Sequence, residues 1–362
     1  MKIAIIQPFP SHEEVVLPIF HALKALNQKF NIVIFLPEEI ENKRGNLFKY
    51  LNLNLPIKFH KSGKKGLQEL RKHVEESYDL TIMVTFSNYL MRIRTPCIRI
   101  IHNAENEIDR IPQELSEVSM PRRYLCLADY VKKAYITLGG TYGELISAFY
   151  PFEILENKNP PVAQEPSPNQ NLISIIGRVN QVRDYSQLLD YIKKYQTDIR
   201  RENIQFNILG DSGPYRTDVI GFIRNNTLND CVKVYPQAEG DILLIEDLLD
   251  IVKQSRFIMP LLKSQNGQLA NKTRISSAYS WIYALGIPAF HDRAGAINYP
   301  NAGLCYEGEA DFFCSLSRSL ASKNNHTYDY QELCSRLQVE SLKLIKMSHE
   351  NIRNSIQSVI TS

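Results

Sequence analysis

Two guanidiniums, Arg178 and Arg183, stand five residues apart, directly after the apolar run 172–176 and the glycine that closes it, Gly177. Glycine lets a backbone come close to a ligand, and paired arginines supply the charge-assisted donors that a diphosphate needs. Spacing alone fits two surface arginines at a helix start equally well. Gly210, with Gly213 beyond it, follows a second apolar run, Ile204–Leu209, where a ligand could approach, although such a G-x-x-G taken by itself is more often only a tight connection.

A denser group lies further on, where Lys272, Thr273, Arg274, Ser276 and Ser277 precede or open the helical stretch 278–285. A helix N-terminus offers free N–H groups and partial positive charge, so a diphosphate docked there would meet donors, two hydroxyls and the Lys272 cation together. The plainer alternative is that Ser276 caps the helix. In the first half, His102 and Asn103 leave the run Cys97–Ile101 and are followed by Glu105, Glu107 and Asp109; a second acidic group, Glu13 and Glu14 beside His12, lies in the loop after the opening run. Imidazole can orient a hydroxyl and a carboxylate can take its proton, which makes His102 and Glu13 the catalytic candidates. No metal-ligand spacing and no Ser-His-Asp order occurs, so no metal is expected.

Elements that would position these residues are legible in the apolar pattern. Short buried runs read as parallel strands at 2–6, 30–36, 80–85, 97–101, 124–127, 135–138, 172–176, 204–209, 232–235, 257–259 and 288–291, with helical spacing between many of them. Strand and helix alternation of this kind implies a doubly wound α/β sheet in each half. Ligands of such sheets sit where loops leave the carboxyl ends of the strands, where the candidates fall. A Pro- and Asn-rich stretch, 156–171, reads as the interdomain linker. The expected domains are 1–160, a linker over 161–171, 172–327, and a helical tail 328–362, as one helix or two, that could cross back to the first domain.

A chain of 362 residues exceeds one ordinary core, and two domains are expected. With 44% hydrophobic and 22% charged residues it is globular, and a net charge of +3 gives no sign of nucleic-acid binding. The charge is uneven, however. Nine Lys or Arg against one acid, Glu69, lie between Lys43 and Lys72. That patch could meet anionic lipid or a polyanionic acceptor, although a run of this kind can also be a solvated face. Six scattered cysteines without a C-x-x-C pair and no signal-like leader fit the cytoplasm, with peripheral contact at the inner membrane face as a further expectation. No stretch reaches the roughly 20 apolar residues of a membrane span.

On Gly177, Arg178, Arg183, Gly210, Gly213, the V-x-x-x-P of 232–236, the acidic helix 246–252, the strand closing at Pro260 and the A-L-G-I-P of 284–288, the C-terminal half resembles the GT-B glycosyltransferases, especially the retaining glycosyltransferase family 4. The first half is similar to the family's acceptor domain through MKIAIIQPFP and the I-H-N of 101–103. The resemblance implies two Rossmann-like domains facing a central cleft, the first for an acceptor and the second for a nucleotide sugar. It implies a UDP- or GDP-linked donor held by Arg178 and Arg183, with Ser276 and Ser277 helping, and a glycan, lipid-linked or protein acceptor. It also implies retention of configuration, with no bound cofactor. The family pattern carries a pair of glutamates two helical turns apart. Counted back from Gly286, those positions fall near Thr273 and Trp281, neither acidic, which leaves Lys272 and the serines in their stead. The glycine-rich turn usual after the first strand is replaced by Ser11-His12-Glu13-Glu14. A non-catalytic scaffold subunit of the same fold, or a nucleotide-sugar epimerase, are the rival expectations.

Overall fold

The computed structural model of the chain describes residues 1–154, 171–180, 183–210, 214–236, 243–262, 272–320 and 330–361. Its contacts divide the chain into two compact units: unit 1 comprises Met1–Glu156, Lys272–Ile275 and Leu342–Ser362, and unit 2 comprises Asn157–Asn271 and Ser276–Ser341. The expected linker, apart from Asn171, and Gly213 lie outside the described residues.

Unit 1 opens with β1 (Lys2–Ile6), α1 (Glu13–Leu26), β2 (Asn31–Pro37), the short α2 (Ile40–Arg44) and α3 (Leu47–Tyr50), β3 (Ile57–His60) and α4 (Gly63–Ser77). It continues with β4 (Leu80–Met83), β5 (Cys97–Ile101), α5 (Glu107–Glu117), β6 (Arg122–Cys126), α6 (Asp129–Thr137) and β7 (Ile146–Ala148). The seven strands form one parallel sheet in the order β3-β2-β1-β4-β5-β6-β7. Continuous apolar runs make the central strands because both faces are covered. Ile3, Ile5 and Ile6 of β1 are fully buried, each stabilising by about 1.5–3 kcal/mol. Ile3 lies opposite Ile32 of β2 and Leu80 of β4, so the register stacks aliphatic on aliphatic.

Unit 2 repeats the plan with β8 (Asn171–Ile176), α7 (Tyr185–Lys194), α8 (Gln196–Arg201), β9 (Ile204–Leu209), α9 (Pro214–Asn225), β10 (Val232–Tyr235), α10 (Ile245–Val252) and β11 (Phe257–Met259). Then follow α11 (Ser277–Leu285), β12 (Ala289–Asp292), α12 (Arg293–Ala296), β13 (Gly303–Tyr306), α13 (Gly308–Leu320) and α14 (Tyr330–Thr361). Its six parallel strands run β10-β9-β8-β11-β12-β13. In both sheets the chain reverses direction across the sheet at the first strand, between β1 and β4 and between β8 and β11, which is where this topology opens a ligand crevice. The tail is one helix, α14, whose residues from Leu342 count with unit 1. There Ser348 Oγ accepts from Tyr150 N at 2.8 Å, Asn351 donates to Ala148 O at 2.8 Å, and His349 pairs with Glu153 at 2.7 Å.

One expected strand is wrong. Residues 135–138 complete α6 and its cap, and the edge strand is the later β7. Tyr135, Ile136 and Leu138 look strand-like by type, but only Tyr135 is buried; Ile136 and Leu138 are half-exposed on the helix. β3 and β13 were not expected, since both are edge strands only partly buried.

Candidate functional site

In unit 2 the carboxyl ends of β8, β9 and β11 converge. Gly177, next after β8, has φ 124°, a conformation that disfavours side chains, and a Cβ there would lie 1.9 Å from Arg183 Nη2. Gly210, next after β9, is equally confined: its Cβ would lie 2.1 Å from the Gly177 carbonyl oxygen. Gly177 thus makes room for the Arg183 guanidinium, and Gly210 for the Gly177 backbone. That guanidinium donates to the carbonyl of Pro260, just past β11, while Arg183 bridges to Leu262 and Gly177 N bonds Leu209 O at 3.0 Å. Burial presses the half-buried Arg183 toward its neutral form, and no carboxylate among the described residues offsets that. Arg178, one residue after the turn, is exposed.

The same crevice receives α11, which packs against β8 and β11. Ser276 holds the N-cap position with extended φ/ψ, yet its hydroxyl makes no capping bond, and Ser276 Oγ is buried without a described partner. The plain capping alternative therefore does not describe Ser276. Tyr279 of α11 bonds Gly295 O and His291 Nδ1, each at 2.9 Å, and stacks on Tyr299 with centroids 4.1 Å apart, which fixes the helix against β12. Burial pushes the His291 imidazole down to about 4, so it stays neutral. Trp281, at one family glutamate position, is 4% exposed and belongs to the packed face of α11. Lys272 is exposed and counts with unit 1.

In unit 1 the loop after β1 is organised by Gln7. Its fully buried amide donates to Phe9 O at 2.8 Å and to Ser11 O, and its oxygen accepts from Thr85 Oγ1 at 3.2 Å. The loop then turns through His12 in the left-handed conformation, φ 63°, which for a non-glycine residue is a strained backbone characteristic of functional sites. Glu13 and Glu14, expected in the loop, instead form the first turn of α1 and are buried, where the helix N-terminus stabilises carboxylates. His102, next after β5, places its ring 4.2 Å from that of His12. His102 Nε2 donates to Val84 O at 2.7 Å, which leaves Nδ1 as the acceptor. Burial, then the neighbouring His12, push His102 down to about 3. His12 Nδ1 lies 3.5 Å from Glu14 Oε1. The segment 272–275 packs beside this rim, with Ala104 N donating to Thr273 O at 2.8 Å and Asn103 pairing antiparallel with Arg274.

Behind His102 lies a group that the sequence reading missed. Arg99, Glu114 and Arg122 are almost wholly buried; Arg99 meets Glu114 at 2.9 Å and Glu107 at 2.6 Å, and Arg122 donates to Ile93 O at 2.6 Å. The available signal was an arginine inside the apolar run CIRII and two glutamates seven residues apart on one helix face. Among the described residues no group of three or more His, Cys, Asp or Glu could hold a metal ion, and no helix is long and apolar enough to cross a membrane.

No protein-family model matches the sequence, and no curated protein matches it. Solved structures match over nearly the whole chain. Anabaena HepE in complex with UDP-glucose is 14% identical, covers 99% of this chain and 100% of its own, and superposes with TM-score 0.64. The catalytic domain of starch synthase IV from Arabidopsis thaliana, bound to ADP and acarbose, is 10% identical over 96% of this chain and 99% of its own, TM-score 0.60. WaaG, a glycosyltransferase involved in lipopolysaccharide biosynthesis, is 10% identical over 97% and 99%, TM-score 0.55. The chain therefore has the GT-B glycosyltransferase fold, α/β with two Rossmann-like sheets.

Proposed function

We propose that the protein is a glycosyltransferase that moves a sugar from a nucleoside diphosphate sugar to a glycan, lipid-linked or protein acceptor. The observation that carries this reading is Arg183, a half-buried cation laid against the Gly177 turn at the β8–β11 crevice with no carboxylate among the described residues to balance it. A diphosphate at that point supplies the missing charge and reaches the uncapped end of α11 with Ser276 and Ser277. Arg178 adds a mobile cation at the mouth, and Gly210 keeps the floor clear. HepE and starch synthase IV, bound to UDP-glucose and to ADP, support a nucleotide donor for this fold.

Transfer requires negative charge to develop on the leaving diphosphate, and the Arg183 and α11 donors stabilise it without reorganising. The acceptor is assigned to unit 1. Neutral His102 offers Nδ1 to a hydroxyl, and Glu13 is the candidate base. The reaction is taken as retaining and independent of a metal, with a UDP- or GDP-linked donor and a cytoplasmic site of action. Lys272, four residues before Ser276 in sequence, is taken as a further cation for the diphosphate.

A second reading, a non-catalytic scaffold of the same fold, is favoured by one observation: the apolar, packed Trp281 where the family resemblance expects a carboxylate. A thermal-shift screen with uridine, guanosine, adenosine and cytidine diphosphates separates the two. The transferase reading expects one of them to raise the melting temperature, the shift to vanish in the Arg178→Ala/Arg183→Ala double variant, and labelled donor to be consumed. No shift with any nucleotide leaves the scaffold.

A further inference from the structure

We propose that the lysine face formed by the end of β3 and the start of α4 docks this protein on an anionic bilayer surface, an inference independent of the transfer reading. The structure sorts the basic stretch into two kinds of cation. Further along α4, Arg71 lies 3.7 Å from Glu75 and Lys72 4.0 Å from Glu76, so their charges are met within the helix. Lys58, Lys61, Lys64 and Lys65 are exposed, occupy eight consecutive positions with no acid among them, and form no ion pair with a described residue. Glu39, close to this stretch, accepts from Ser62 Oγ at 2.5 Å, the bond that most lowers its pKa, and pairs with none of the four lysines.

Internal stability does not explain this arrangement. Lys64 and Lys65 fall in the first turn of α4, which holds no acid, so both stand against the positive end of the helix. A lysine on an exposed edge strand discourages aggregation, which accounts for Lys58 but not for three more beyond the strand. Phe59, between Lys58 and the rest, is 50% exposed on that edge. Unpaired lysines around an exposed aromatic suit a negatively charged interface, where the ring enters the headgroup layer and the ammonium groups meet phosphates. With no helix among the described residues able to cross a bilayer, this contact is peripheral and depends on salt.

Vesicle co-sedimentation of the full chain, without nucleotide, tests the proposal. The protein is expected to pellet with mixed phosphatidylglycerol–phosphatidylcholine vesicles at low salt, to release at high salt, and to ignore phosphatidylcholine alone. Each lysine near an anionic surface contributes roughly fivefold to partitioning, so Lys61→Glu/Lys64→Glu/Lys65→Glu should lower it by about a hundredfold or more. Phe59→Ser should lower it several-fold, whereas reversal of the paired Lys72 should cost about twofold or less. These side chains are exposed, so an unchanged melting temperature shows that the variants remain folded. Equal pelleting with neutral vesicles, full retention by the triple variant, or binding to soluble dextran sulfate without binding to vesicles overturns it. None of these outcomes bears on nucleotide binding, which is read separately.

Discussion

The two sheets share a strand plan and differ in what they carry at the carboxyl ends. Unit 1 gathers titratable groups: a strained His12 against His102, carboxylates in the first turn of α1, and a buried lattice of arginine and glutamate beneath β5. Unit 2 gathers glycine turns, a cation with no counter-charge among the described residues, and a helix end whose serine does not cap. One topology thus frames two rims of different character: one of imidazoles and carboxylates, the other of glycine turns and a buried guanidinium. Topology chooses where a ligand can sit, and the residues at the strand ends choose which.

The largest effect should come from unit 1's lattice. Glu114→Ala leaves Arg99 and Arg122 without a shared carboxylate in a dry interior, a loss of about 3–5 kcal/mol. Urea unfolding followed by a probe in unit 1 reads it, and a loss below about 1 kcal/mol would mean that the lattice is not what supports the His102 rim.

Acid should produce the next effect. Unfolded His102 takes a proton as pH falls through its ordinary value of 6.5, whereas the folded ring resists until about 3. Protons therefore favour the unfolded chain over that window, and unit 1 loses stability as pH drops below about 6.5. Melting curves at neutral and mildly acidic pH, compared with His102→Asn, should show a shallower acid decline in the variant. Parallel declines would place the sensitivity elsewhere.

The smallest effect separates ligand contact from capping in unit 2. A capping serine replaced by alanine costs about 0.5–2 kcal/mol of stability. Ser276→Ala should leave the melting temperature unchanged and weaken nucleoside diphosphate binding about tenfold, the value of one hydrogen bond to a charged group at the low end. A destabilised variant with unchanged affinity would restore the capping role.

Much of the frame was legible. β1, β2, β5, β8 and β9 are apolar runs buried on both faces; Gly177, Arg178 and Arg183 stand out because they follow such a run, and Ser276 because it lies where a helical pattern opens. What failed did so for physical reasons. β3 is half-exposed, so its pattern carries little apolar signal, while Tyr135, Ile136 and Leu138 have strand-like types in a helix that buries only one of the three. The meeting of His12 with His102 joins residues 90 positions apart and has no local signature. Arg99, Glu114 and Arg122 are of types that are mostly exposed, and only tertiary packing brings them together inside.

A crystal structure with a nucleoside diphosphate bound would test the central claim most directly. Phosphate oxygens within about 3 Å of the Arg183 guanidinium and of the Ser276–Ser277 end of α11 are the predicted result. A diphosphate bound in unit 1, or in unit 2 away from the ends of β8 and β11, would contradict it.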